Sequence, residues 1–223
     1  MSPNIIFDIA AFLFAISIHE SAHAWSANRL GDPTARMLGR ISLNPARHID
    51  PVGTILFPLI GALSGLPVFG WARPTPVDTR RLRHPRRDDV LVSGAGPASN
   101  FLVAIVAVVL LLGIRLSSAA GAVFVGNLPD SSAAAQGSLL ATVVLLFYRF
   151  LLINLLLGVF NLIPIPPLDG SHILAGVLPD RLRYIYEEIG RFGFLLLILL
   201  LMTNIPWLLF SPFLRLFHSL LRF

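Results

Sequence analysis

The chain has 223 residues, of which 55% are hydrophobic and 13% are charged, and its mean hydropathy is +0.77. These values exclude an ordinary soluble domain and predict an all-α membrane protein, a polytopic helical bundle. The formal charge is +5 and every basic residue is arginine, which we interpret as a topology signal facing anionic lipid headgroups, not as a nucleic-acid surface. The absence of cysteine excludes disulfides and thiolate metal ligands.

The first predicted helix runs from about residue 4 to residue 30, and its second half carries the pattern H-E-x-x-H at His19, Glu20 and His23. Residues four apart lie on one face of a helix, so both histidines can offer an imidazole nitrogen to one ion. Residues 7–15 are almost purely apolar, which puts these groups at membrane depth, where ionisable residues are costly and usually functional. A single such histidine is more often a hydrogen-bonded polar residue than a ligand. The full pattern predicts a zinc site at which Glu20 takes the proton from an attacking water.

The segment 51–71 lies between two arginine-rich loops, residues 29–47 with four arginines and residues 73–87 with six. The positive-inside rule places both loops in the cytoplasm and the loop at 117–138, which has no arginine, outside. A segment with both ends in the cytoplasm cannot cross the membrane once, so we predict a re-entrant or interfacial hairpin after the first helix. Its prolines and glycines agree with a hairpin, and an ordinary kinked spanning helix is the alternative.

Three further apolar segments follow the hairpin, at residues 90–116, 139–163 and 192–204. Together with the first helix they predict about four spanning helices. The tail at 206–223 is predicted to be a C-terminal interfacial or spanning helix, because its basic residues favour an interfacial position on one face. We see no internal repeat and no low-complexity linker, so we expect a single domain over residues 1–223.

A catalytic zinc site needs a third protein ligand, and Asp169 is the best candidate in this sequence. Glu20 belongs to the first motif, and the other ten acidic residues fall in loops or near segment ends. Asp169 lies in the proline-rich break at 164–170, just after an apolar segment. The predicted topology puts it at the depth of the H-E-x-x-H pattern only if residues 51–71 do not span. The alternative is that Asp169 merely caps a helix that begins near Gly170.

Three stretches of the sequence resemble the site-2 proteases, the intramembrane zinc metalloproteases. H-E-x-x-H alone is moderately specific, and its combination with N-x-x-P-x-P-x-L-D-G, in this order and in membrane segments, is far more so. The resemblance covers about residues 10–175, and the tract at 31–51 is similar to the small bacterial members. PDZ or CBS domains, which some members carry, could not fit in these loops, so we expect neither. The matching stretches are residues 19–23 (HESAH), 96–100 (GPASN) and 161–170 (NLIPIPPLDG).

The resemblance implies Zn²⁺ as the cofactor, with both motif histidines and Asp169 as ligands and Glu20 as the catalytic base. It also implies that Asn161 and Asn100 contact the substrate backbone or the developing oxyanion. On the residues alone, Asn161 could equally cap or bridge helices inside the bundle, and Asn100 could mark a helix start. These two roles therefore stay open at the level of sequence.

The function that the resemblance implies is hydrolysis of peptide bonds in or near transmembrane segments of membrane proteins, that is, regulated intramembrane proteolysis. The expected location is the cell membrane, a bacterial inner membrane, crossed several times with the active site towards the cytoplasmic side. The expected partners are a transmembrane protein substrate and membrane lipid, with no nucleic acid. The alternative function is a membrane metal-binding or transport protein, which would need further buried polar ligands along the other helices. The sequence contains few of these and does not predict the oligomeric state.

Overall fold

The computed structural model describes residues 3–56, 60, 71–128 and 138–222, and this part of the chain is helical without any strand. The all-α prediction is therefore confirmed for the described residues. A 3₁₀ turn at Pro45–Arg47, a π-helical turn at Pro51–Leu56 and a 3₁₀ turn at Thr79–Arg81 interrupt the loops. The α-helices are α1 (Pro3–Leu30), α2 (Thr34–Met37), α3 (Pro85–Ser117), α4 (Ala119–Gly126), α5 (Leu139–Asn161), α6 (Asp169–Val177), α7 (Asp180–Gly190), α8 (Gly193–Leu201) and α9 (Ile205–Arg222).

Two of the described helices, α3 and α5, are long and apolar enough to cross a membrane. The helices α8 and α9 are apolar enough only when taken together, and they are bent by 64° at the break between them. The described residues therefore support two spans, or three if the bent pair is one span, and the predicted count of about four is not confirmed. The bend arises where the α8 helix ends and the hydroxyl of Thr203 accepts a hydrogen bond from the backbone N–H of Ile205.

The largest apolar core lies between α3 and α5 and is closed by residues from α4 and α9. Small side chains on α3, such as Ala104 and Ala107, let α5 approach closely, and Gly158 of α5 packs on the ring of Phe101. Such close approach is how helices associate in lipid, where no hydrophobic force drives them together. Because α1 also packs against both α3 and α5, these three helices form the frame around the site.

The two ends of the predicted hairpin at 51–71 lie side by side. The backbone N–H of Trp71 donates to the carbonyl of Gly53 at 3.1 Å, and the hydroxyl of Thr54 donates to the carbonyl of Trp71 at 2.8 Å. A segment that crossed the membrane once would have its ends about 30 Å apart, on opposite sides of the hydrocarbon. Here the two ends are hydrogen-bonded to each other, so they lie at the same depth. The interior of the predicted hairpin, apart from residue 60, lies outside the described residues.

Candidate metal centre

Side chains from α1 and from the first turn of α6 converge at one point. The Nε2 atom of His19 lies 3.1 Å from Oδ2 of Asp169, and the Nε2 atom of His23 lies 3.3 Å from Oδ1 of Asp169. The two Nε2 atoms are 3.0 Å apart, and both histidines are buried. The structure thus brings together the three side chains that the sequence analysis selected as ligands, although Asp169 is remote from the histidines along the chain.

The other ring nitrogen of each histidine is already engaged. Nδ1 of His23 lies 2.8 Å from the carbonyl oxygen of Val92, and Nδ1 of His19 lies 2.6 Å from Oδ1 of Asn100. Both partners are acceptors, so both Nδ1 atoms carry the proton and a neutral ring leaves a lone pair on Nε2. These are the outer contacts that orient metal-binding imidazoles and make them better ligands.

The donor set fits a zinc ion. Two imidazole lone pairs and a carboxylate face one another, and Oδ2 of Asp169 is buried without a hydrogen-bond donor. One added proton could form a hydrogen bond in only one of the three contacts among the two Nε2 atoms and the carboxylate. A divalent cation between them can bind all three groups. Tetrahedral zinc with bonds of about 2.0–2.1 Å needs ligand atoms about 3.3 Å apart, close to the 3.0–3.3 Å found between these nitrogen and oxygen atoms. The cluster is the only group of three such ligands among the described residues.

Glycine at position 96 lets the backbone of α3 lie directly against the two imidazole rings. A Cβ atom built there would lie 2.4 Å from Nε2 of His23 and 2.6 Å from Cε1 of His19. Real Cβ atoms do not approach other atoms this closely, and the hydrogen bonds from Nδ1 of each ring, to Val92 and Asn100, oppose a shift of the rings. Gly96 is therefore one wall of the candidate metal site.

Asp169 reaches the histidines because the chain folds tightly between α5 and α6. A Cβ atom at Gly170 would lie 2.3 Å from the carbonyl oxygen of Leu162, so the first turn of α6 rests directly on the end of α5. The N-cap residue of α6 is Leu168, and the carboxylate of Asp169 points to the histidines instead of capping the helix. The interpretation of Asp169 as a mere helix cap is therefore wrong.

Arg86, in the first turn of α3, holds the far end of α6. Its Nε donates to the carbonyl of Gly176 at 2.7 Å, and the same guanidinium bonds the carbonyl of Leu178 and pairs with Asp180 at 2.9 Å. Gly176 also allows close packing, since a Cβ atom there would lie 2.1 Å from a methyl carbon of Val90. These contacts fix α6, and with it Asp169, against α3.

Glu20 is held by a non-helical segment that follows the predicted hairpin. Oε2 of Glu20 accepts a hydrogen bond of 2.7 Å from the backbone N–H of Thr75, and the Thr75 hydroxyl donates to the Glu20 carbonyl at 3.0 Å. These two bonds fix both the side chain and the backbone of Glu20. Nothing in the sequence pattern around Thr75 pointed to this contact, because an isolated threonine between two prolines has no recognisable periodicity.

A buried arginine joins the two loops below Glu20. Arg40 is 5% exposed, and its guanidinium donates to three backbone carbonyls. Next to it, the hydroxyl of Ser21 and Nε2 of His48 both donate to the carbonyl of Ser42, at 2.6 Å and 2.7 Å, and burial lowers the pKa of His48. The loops therefore form one hydrogen-bonded unit under the turn of α1 that carries His19, Glu20 and His23. The carbonyls that Arg40 binds are those of Arg47, Arg73 and Pro74.

A cavity of about 640 Å³ opens onto the three ligands and Glu20. Its walls are mainly apolar, with Phe12 from α1 and Phe160 from α5 among them. Asn161 also lines the cavity, and its Nδ2 donates to the carbonyl of Leu157 at 3.0 Å. Asn100 does not line it, because it is fully buried behind His19. Asn161 can therefore contact a substrate in the cavity. The side chain of Asn100 contacts His19 instead and does not face the cavity.

Two further ionic contacts lie near the bundle. At the rim of the cavity, Nδ1 of His172 lies 3.3 Å from Asp89, and this hydrogen bond raises the pKa of His172. Elsewhere in the bundle, Arg149 of α5 pairs with Asp8 of α1 at 3.4 Å, and both side chains are partly exposed. This pair was not predicted from the sequence, in which residues 139–163 form an apolar segment, although a lone arginine in such a segment is a signal in itself.

Apolar helices around a His-His-Asp cluster with an adjacent glutamate define a membrane zinc metalloprotease. The chain matches peptidase family M50 over residues 7–203, and it belongs to that family, the site-2 proteases. The recognition made from the three sequence motifs is therefore confirmed, and zinc is the cofactor of the family.

The curated relatives have names of the same kind. The chain is 36% identical over 199 residues to "Putative zinc metalloprotease YwhC" of Bacillus subtilis (strain 168), covering 87% of this chain and 80% of the relative. It is 32% identical over 198 residues to "Putative zinc metalloprotease Rip2" of Mycolicibacterium smegmatis and 31% identical over 196 residues to the protein of that name in Mycobacterium tuberculosis (strain H37Rv). Both alignments cover 87% of this chain and 66% of the relative. No solved structure matches the chain.

Proposed function

We propose that this protein is an intramembrane protease that hydrolyses peptide bonds in or near transmembrane segments of membrane proteins. In this proposal His19, His23 and Asp169 hold the zinc ion, and Glu20 is the catalytic base. The observation that carries it is the meeting of Asp169 with the two histidines in a cavity that Glu20 also lines. We further propose that residues 1–223 act as one catalytic domain.

The zinc ion and the side chains of the protein contribute different parts of the reaction. Zinc, when bound, supplies a Lewis acid that polarises the scissile carbonyl and makes water a stronger acid. The carboxylate of Glu20 accepts the proton of the attacking water and returns it to the leaving amine. Its hydrogen bond to the N–H of Thr75 keeps the carboxylate in one orientation for both transfers. The carboxamide of Asn161, at the cavity wall, is placed to bind the substrate backbone.

The substrate must present an extended stretch of backbone. In a transmembrane helix every carbonyl is paired within the helix, so the scissile bond becomes accessible only after local unwinding. The cavity volume of about 640 Å³ and its apolar walls suit a few unwound residues with apolar side chains. We propose that the hairpin at 51–71, whose second end at Trp71 precedes Thr75 by four residues, pairs with or gates this stretch.

We propose that the protein resides in a bacterial inner membrane with the site towards the cytoplasm. The loops at 29–47 and 73–87 carry ten of the seventeen arginines, and both lie next to the catalytic turn of α1. Arginine-rich loops face the cytoplasm and the anionic headgroups of its leaflet. A transporter would need further metal sites along its path, and the described residues contain no second ligand cluster.

The proposal is tested by separating metal binding from turnover. The purified protein is mixed in detergent with model single-span substrates, and cleavage and bound zinc are measured for the wild type and for Glu20→Gln. We expect Glu20→Gln to keep its zinc and to lose about 10²- to 10⁴-fold in cleavage rate, because it loses the general base. Full activity in Glu20→Gln, with zinc bound, would end the mechanism proposed here.

A further inference from the structure

A continuous chain of hydrogen bonds runs from His19 through two buried asparagines to a third helix. Nδ1 of His19 lies 2.6 Å from Oδ1 of Asn100 on α3, and Nδ2 of Asn100 donates to Oδ1 of Asn154 on α5 at 2.9 Å. Both asparagines have no exposed surface. Buried amides of this kind are costly in a membrane unless every polar atom is satisfied, as it is here.

Backbone carbonyls determine which atom donates and which accepts in each hydrogen bond of this asparagine relay. Nδ2 of Asn154 donates to the carbonyl of Phe150 at 2.9 Å, and Nδ2 of Asn100 also donates to the carbonyl of Ala15 at 3.3 Å. A carbonyl can only accept, so these contacts identify the nitrogen of each amide. The oxygen of Asn154 must then face Asn100, and the oxygen of Asn100 must face His19. The ring nitrogen opposite it, Nδ1 of His19, is therefore the protonated one.

We propose that Asn154 is a positioning residue for the zinc site, acting through Asn100 to hold His19 in the tautomer that offers Nε2. This inference rests on the proposed role of His19 as a zinc ligand. Without the acceptor on Asn154, only the longer 3.3 Å bond to the carbonyl of Ala15 holds the Asn100 amide, which can then rotate and present its N–H₂ group to His19. The ring would then carry its proton on Nε2, the atom that faces Asp169, and would no longer be a ligand there.

His23 provides the internal comparison, because its tautomer does not depend on a rotatable amide. Its Nδ1 donates directly to the carbonyl of Val92, which cannot turn round. The asparagine relay therefore acts on one ligand of the two. A change at Asn154 should weaken the site without removing it, and the effect should pass entirely through Asn100.

The test measures zinc affinity in the full-length protein by competition with a chelator, which requires no turnover. We expect Asn154→Leu and Asn100→Leu each to weaken zinc binding about tenfold or more. The double variant should bind zinc no more weakly than Asn100→Leu alone, because residues in one relay are not additive. Tyr148→Phe is the matched control, since it removes a partly buried hydrogen bond from the same helix outside the relay and should leave zinc affinity unchanged.

Two outcomes would overturn the inference: Asn154→Leu with the zinc affinity of the wild type, or losses that add fully in the double variant. A role in packing alone would lower the melting temperature of Asn154→Leu without changing the zinc affinity of the folded protein. If Asn154→Leu does not fold, Asn154→Ser replaces it, because the shorter hydroxyl cannot reach Asn100 and Phe150 together. Failure of the proposed function gives a different result, namely a His19→Ala protein that binds zinc as tightly as the wild type.

Discussion

The proposed site has two halves, a metal half with the proposed ligands His19, His23 and Asp169 and a base half with the proposed base Glu20. The two halves are built from different kinds of structure. The metal half is held by helix packing, with Gly96 of α3 against both imidazoles and buried acceptors on their outer nitrogens. The base half, Glu20, is held by hydrogen bonds from Thr75, in a non-helical segment that continues from the predicted hairpin. The metal half is thus formed by the fold itself, whereas the position of the base depends on how two loops meet.

This difference has a functional consequence. Close-packed helices have few ways to rearrange, so the ligand geometry does not depend on the presence of a substrate. Contacts between loops are less constrained and are the usual place for motions that accompany binding. If the hairpin moves when a substrate strand enters, the same movement acts on Thr75 and so on Glu20. Changes in the metal half should therefore remove zinc, and changes in the base half should slow cleavage with zinc in place.

The largest effect is expected from Gly96→Ala. Its Cβ atom would lie 2.4 Å from Nε2 of His23, so the rings must move and the site should lose its zinc and its activity. Gly94→Ala, two residues earlier in α3, is the matched control, because a Cβ atom there has no neighbour within 4 Å. We expect the control to bind zinc normally and to be about 0.5–1 kcal/mol more stable, since alanine favours the helix. Zinc stoichiometry and melting temperature measure both effects, and equal zinc binding in the two variants would contradict the packing argument.

A smaller effect is expected from Thr75→Pro in the base half. Proline has no backbone N–H, so Oε2 of Glu20 loses its donor while the metal ligands are unchanged. We expect the cleavage rate to fall about tenfold or more, because a hydrogen bond to a charged group contributes about 1.5–3 kcal/mol, and the zinc content to stay normal. Thr75→Val keeps the N–H and loses only the hydroxyl, and it should retain more activity than Thr75→Pro. Loss of zinc in Thr75→Pro would show that the two halves are not separate.

The sequence was sufficient for the metal half because its chemistry leaves a pattern. Two histidines four apart on an apolar helix, and one aspartate in a proline-rich break, are unusual in a membrane segment. The arginine counts then predicted that Asp169 and the histidines share a depth, and the structure places their atoms 3.1–3.3 Å apart. The ends of the hairpin likewise meet at one level, as the same counts predicted.

The sequence does not predict a contact whose residues form no recognisable pattern along the chain. Asn154 is one polar residue in a leucine-rich helix, and its importance is visible only once Asn100 is found beside it. The donor from Thr75 is a backbone N–H, which every residue except proline possesses. The predicted count of about four spans is not confirmed, since among the described helices α3 and α5 are long and apolar enough alone and α8 and α9 only together, across a 64° bend.

We propose above that Asp169 completes the coordination of the zinc ion begun by His19 and His23. The most direct measurement is the zinc content and affinity of purified Asp169→Ala beside the wild type, with Glu187→Ala as the control from an exposed acidic position. We predict one zinc per chain in the wild type and the control, and at least a hundredfold weaker binding in Asp169→Ala, since its loss leaves two ligands. Asp169→Ala that binds one zinc with the affinity of the wild type would contradict the account.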